Sequence, residues 1–135
     1  MATVTSSRVR QILLGVTALV FIGIAVGSLV APHKMAGGLG YSLDNVDALS
    51  EFRAIYVGLW LATAVLLVVA LRRVQHALLG DLCAILILGQ TFGRIVSLVL
   101  DGVPSGKIVP IFVLEAIGGV ALLLVRPSES GSTTP

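Results

Sequence analysis

Gly-Gln-Thr-Phe-Gly-Arg-Ile-Val-Ser-Leu-Val-Leu-Asp-Gly-Val-Pro-Ser-Gly, residues 89–106, sets ionisable and amide groups inside an otherwise apolar helical stretch. Gln90, Arg94, Ser97 and Asp101 are spaced four, three and four apart. At about 100° per residue they fall within an arc of roughly 60° and form one polar stripe. An arginine inside lipid is a functional-site hypothesis by default, and it needs a partner or a wet cavity. The rest of the chain has to supply that partner.

A chain of 135 residues with 56% hydrophobic and 12% charged residues lies far from soluble averages. Its mean hydropathy of +1.04 points to an integral membrane protein. The isoelectric point near 9.1 is no sign of nucleic-acid binding, because the basic residues are few and sit at the ends of apolar runs, where they act as topology signals. Cys83 is the single cysteine, which leaves no intrachain disulfide and no multi-cysteine metal site; it reads as a small buried hydrophobe.

Working outward along the chain, Arg8 and Arg10 precede an apolar run over 12–30 that matches the roughly 20 residues needed to cross a bilayer. Ala25-Val26-Gly27 resembles a signal-peptide cleavage site, but the run exceeds the usual core of about 7–15 residues. Pro32 and the glycines at 37, 38 and 40 predict a loop over 31–46, with Met35, Leu39 and Tyr41 able to dip into the interface. Asp44, Asp47 and Glu51 then precede a second span over 52–71, as suits the positive end of a helix dipole. On that span Arg53, Tyr56, Trp60 and Thr63 recur at helical spacing and predict one face that starts charged, passes two aromatics and ends in a hydroxyl.

Arg72, Arg73 and His76 form a basic turn before the third span, 82–100, which Asp81 introduces. The Leu, Ile, Val and Phe residues of that span, at roughly −0.3 to −0.6 kcal/mol each, outweigh the roughly +2.5 to +3.5 kcal/mol of a central arginine, so insertion survives Arg94. Asp101-Gly102 and Pro104 end the helix, with Gly102 suited to a left-handed conformation. The last span, 108–125, carries a single charge, Glu115. The remainder, 127–135, is rich in Ser, Thr, Gly and Pro and reads as a disordered tail outside the membrane domain, 1–126.

The expected fold is therefore all-α, a polytopic membrane protein with four transmembrane helices in an antiparallel bundle. Arg8, Arg10, Arg72, Arg73 and Arg126 then share one side, predicted cytoplasmic, opposite Lys34 and Lys107. Arg94 lies seven residues before Asp101, and Glu115 seven residues after Ile108. At 1.5 Å per residue both are about 10 Å deep in neighbouring helices. The matched depths predict an Arg94–Glu115 pair, with Arg53 reaching Asp101 in the layer above. Gly15, Gly23 and Gly27 on the first span and Gly118 and Gly119 on the fourth are candidate sites for close helix packing.

Three motifs carry a resemblance that covers nearly the whole chain: Glu51-x-Arg53-Ala54-x-Tyr56-x-Gly58-Leu59, Gly93-Arg94-x-x-Ser97-Leu98-x-x-Asp101-Gly102-x-Pro104-Ser105, and Leu114-Glu115. The sequence resembles a bacterial four-helix membrane family catalogued as a domain of unknown function. The resemblance implies the four-span fold, singles out Arg53, Arg94, Asp101 and Glu115, and brings no activity.

No nucleophile with an adjacent base, no metal-ligand cluster and no phosphate-cradling glycine loop is visible, so no catalytic residue, metal or cofactor is expected. An isomerase-type chemistry at Glu115 is the weak enzymatic alternative. Two non-enzymatic readings remain, the first as the expected function and the second as its alternative. In one, the chain is an accessory or regulatory subunit of a larger cytoplasmic-membrane complex, for example one transporting lipids or other apolar molecules. In the other, it is a freestanding binder of a lipid-like amphiphile, held where Arg94, Glu115 and Gln90 meet the aromatic walls Tyr56 and Trp60. Membrane lipids are partners in both.

Overall fold

The computed structural model describes residues 4–104, 106 and 108–127. Among them the regular structure is entirely helical. Helix α1 runs over Val4–Val30, a short α2 over Pro32–Gly38 and α3 over Val46–Arg53. A π-helical turn, Ala54–Leu59, joins α3 without a break to α4, Trp60–Arg72, and α5 (Ala77–Leu100) and α6 (Ile108–Leu124) complete the chain. Ser7–Val30, Val46–Arg72 and Ala77–Leu100 are each long and apolar enough to cross a membrane, whereas α6 is a shorter apolar helix of 17 residues. The protein is thus an all-helical membrane protein.

Helix α1 packs along α4, and α6 along α5. The buried face of α1 is Arg10, Leu14, Ala18, Phe21, Ala25 and Ser28, spaced three and four apart as one helix stripe requires. It meets Trp60, Ala64, Leu67 and Ala70 of α4 in a core that also takes Cys83, Ala84 and Ile87 from α5 and Leu122 from α6. Small residues prevail because lipid is as apolar as a leucine side chain, so helices associate through close packing. On α1 alanines provide that approach within the chain. A Cβ at Gly15 would make ordinary contact with Leu71, and one at Gly23 or Gly118 would meet nothing within 4 Å. A Cβ at Gly27 would lie 3.4 Å from Met35, while at Gly119 it would run into Leu88 at 2.6 Å. Of these five glycines, Gly119 is the one that close approach inside the chain requires.

The stretch expected to be a loop, 31–46, contains α2. Proline ends a helix when it falls in the interior but is favoured in the first turn, and Pro32 occupies that starting position. Gly40, at φ +85°, takes the left-handed turn beyond it. The second long helix begins six residues earlier than expected, at Val46, because the Asn45 side chain accepts the Ala48 N–H at 2.8 Å and caps it. Gly102 takes the left-handed conformation foreseen for it, at φ +93°. Ser105, Lys107 and the tail beyond Pro127 lie outside the described residues; Pro127 itself is buried.

At the end where α1 and α5 begin and α6 finishes, Arg10 acts as a fastener. Its guanidinium, 1% exposed, donates from Nη2 to the Ala77 carbonyl at 3.1 Å and from Nη1 to the Val125 carbonyl at 3.4 Å. Asp81 and Arg126 pair beside it at 3.1 Å. The guanidinium lies directly over Gly80, where any Cβ would collide with it. Replacing Gly80 by Ala should therefore destabilise the protein by roughly 1–3 kcal/mol, as overpacking does. Unfolding in detergent measures this, and the penalty should vanish in an Arg10→Ala background; a persisting penalty would mean the guanidinium is not what the methyl meets.

Candidate functional site

The α5 stripe faces α6 and the π-helical turn at the end of the molecule opposite Arg10. Arg94 reaches Glu115 of α6 with a two-pronged contact, Nε to Oε2 at 2.8 Å and Nη2 to Oε1 at 3.2 Å. This forked geometry is the stronger form of the arginine–carboxylate bond. The side chains are 26% and 11% exposed, so the carboxylate is the deeper partner. The pair anticipated from matched depths is present.

Arg53 and Asp101 do not pair. Asp101 accepts a hydrogen bond from Ser97 Oγ at 2.9 Å on its own helix, and Arg53 is exposed, with no ion pair among the described residues. The π-helical turn follows Arg53 directly. Phe52, Tyr56 and Trp60 follow one another at four-residue spacing, with ring centroids 4.5 Å and 5.4 Å apart, and Trp60 continues onto Phe21 at 5.0 Å. Buried Phe52 takes the place expected for Arg53. Thr63, also buried, turns its hydroxyl to the Leu59 carbonyl at 2.9 Å.

Between this aromatic wall and the α5 stripe lies a cleft of about 410 Å³. Gln90, Arg94 and Ser97 form its polar side, Tyr56 and Trp60 its aromatic side, and Tyr41, Pro104 and Ile108 close its outer end. Glu115 stands behind Arg94 and fixes it in place. The Tyr56 hydroxyl lies 3.4 Å from that of Tyr41, with the rings 6.2 Å apart, so the segment after α2 is tied to the wall. A second, apolar slot of about 210 Å³ lies across Arg94, lined by Leu98, Val103, Val109 and Phe112, and shares Arg94, Pro104 and Ile108 with the cleft. The sequence reading missed Gly93 and the contribution of Tyr41. An aromatic placed just after a glycine turn was the available signal for Tyr41; Gly93 gave none beyond its position beside Arg94. Among the described residues no cluster of metal-ligating side chains occurs.

Removing either member of the Arg94–Glu115 pair should cost about 3–5 kcal/mol, since the survivor is left charged and unpartnered. The exchange Arg94→Glu with Glu115→Arg should recover much of it, whereas Arg94→Lys should not restore full stability because an ammonium cannot make the fork. Thermal unfolding in detergent is the measurement, and two neutral single substitutions would contradict the pairing.

No curated protein and no solved structure matches the chain. A family described only as a domain of unknown function, DUF4345, matches residues 9–126. The match runs from within the first long helix through Glu115 to Arg126, so the chain belongs to the DUF4345 family.

Proposed function

We propose that this protein is a membrane-embedded binding module for an amphiphilic ligand, held in the cleft between Arg94 and the Tyr56–Trp60 wall. The observation that carries the reading is a cleft of about 410 Å³ with a fixed arginine, an amide and two aromatic walls, next to a purely apolar slot beyond that arginine. Ligand sites are concave, mostly apolar and furnished with a few oriented polar groups. The volume is within the usual range of about 300–1,000 Å³. The polar groups sit where they would orient a ligand, and binding is the reading they support.

In this proposal α6 is the fourth span. Its 17 residues cover about 25 Å at 1.5 Å per residue, and local thinning of the bilayer accommodates the difference from about 30 Å. The protein sits in the cytoplasmic membrane with both termini on the cytoplasmic side, where Arg8, Arg72 and Arg73 are exposed. The cleft then opens toward the outer leaflet. A reporter active only after export should stay silent at the C-terminus and be active when inserted after Gly38; the reverse pattern would overturn this orientation.

A second reading, an accessory subunit of a larger membrane complex, is favoured by one observation: Gly23 is exposed and a Cβ there touches nothing in the chain. Such a surface admits the helix of another protein.

Two substitutions separate the readings because both side chains enter open space. Gly93→Leu should leave the unfolding temperature nearly unchanged while filling the cleft, so a lipid extracted in stoichiometric amount with the wild type should be lost. Gly23→Leu should keep that lipid. If no ligand accompanies the wild type and a stoichiometric protein partner is lost only in Gly23→Leu, the subunit reading replaces the binder.

A further inference from the structure

The charges around the cleft specify its ligand further, given the binding reading above. We infer that the headgroup it takes is uncharged and rich in hydrogen-bond acceptors, as in an ester, ether or ketone, with the apolar part of the ligand in the slot beyond Arg94. The argument is a count of charges and free donors. Among the described residues Arg94 is the only charged side chain lining the cleft, and Glu115 already answers it through Nε and Nη2. The described lining therefore carries no net charge before any ligand arrives. An anionic headgroup would be a second negative charge on one guanidinium, beside a carboxylate only 11% exposed. Burying a charge without its own counter-charge is far more costly than burying a hydrogen-bonded neutral group.

The remaining polar atoms include several free donors. Arg94 Nη1 makes no hydrogen bond among the described residues, so both its N–H groups are free. The Gln90 amide also lines the cleft without a partner there and offers two more N–H groups. Tyr41 Oη accepts from Tyr56, which leaves its own hydrogen to donate. Ser97, by contrast, has committed its hydrogen to Asp101. Ester, ether or ketone oxygens match the N–H groups of Arg94 and Gln90, and hydroxyls on the same headgroup find acceptors in the Gln90 carbonyl and the Tyr56 and Ser97 oxygens. Beyond Arg94 the walls turn apolar, with Leu98, Val109 and Phe112, so head and tail are sorted on either side of one residue.

Trp60 is the single tryptophan of the chain and lies in the cleft wall, so its fluorescence reports occupancy directly. The test uses two brominated quenchers of equal chain length, a monoacylglycerol and a fatty acid, added to the full-length protein in detergent at a pH where the acid is ionised. The neutral probe should half-quench Trp60 at a concentration about tenfold lower than the anionic one, a difference of about 1.4 kcal/mol. Glu115→Gln, which leaves Arg94 unneutralised, should narrow or reverse that difference. Gly93→Leu should abolish quenching by both. Equal or tighter binding of the anion to the wild type would overturn the inference about charge while leaving the binding site in place. If neither probe quenches the wild type more than it quenches Gly93→Leu, the binding reading fails and the inference with it.

Discussion

A guanidinium inside an apolar helix has to be answered by something, and in this protein the answer organises one whole end of the molecule. Arg94 is held by Glu115 in a fork at 2.8 and 3.2 Å. That contact requires α5 and α6 to run side by side at a fixed register. Gly119, buried against Leu88, lets the two helices come close enough for the pair to form. Because the carboxylate lies behind the arginine, the guanidinium is fixed with one nitrogen still facing the cleft. The ion pair is thus better understood as a positioning device than as a source of stability, in keeping with the small net gain of buried pairs and the large loss on breaking them.

The opposite end uses the same chemistry differently. Arg10 is not paired there with a single carboxylate; it donates to the backbone carbonyls of Ala77 and Val125. Val125 lies just past the end of α6, where carbonyls lack an intrahelical partner, so an arginine donor meets a standing need there; Ala77 opens α5, and its carbonyl takes the arginine as an additional donor. The contact ties the beginnings of α1 and α5 to the end of α6. The two ends are fastened by different contacts, and the cleft lies at the Arg94 end.

The sequence showed the helices and the central pair because both follow from strong, local rules: long apolar runs, and charges whose depth can be counted at 1.5 Å per residue. Ile108 as the start of the last helix and the left-handed Gly102 were legible for the same reason. Pro32 was misread because proline is compatible with both the end of one helix and the first turn of the next. Arg53 was placed on the face of Tyr56 and Trp60, but Phe52, four residues before Tyr56, is the side chain buried against that aromatic pair and Arg53 stays exposed. Arg10 was read as a topology signal because its partners are backbone atoms far along the chain, which leave no mark in residue types. Within the chain the α1 packing face is built from alanines, which the sequence reading did not single out.

The central claim is that Arg94 and Glu115 are in direct contact inside the bilayer. Solid-state NMR on protein reconstituted in lipid, with ¹⁵N in the arginine side chains and ¹³C in the glutamate carboxyls, measures it without a functional assay. A strong dipolar coupling between one guanidinium and one carboxyl, lost in Arg94→Lys, is the predicted result. A spectrum of the wild type without any such coupling would contradict the account, since the register of α5 and α6 and the orientation of the cleft both depend on that contact.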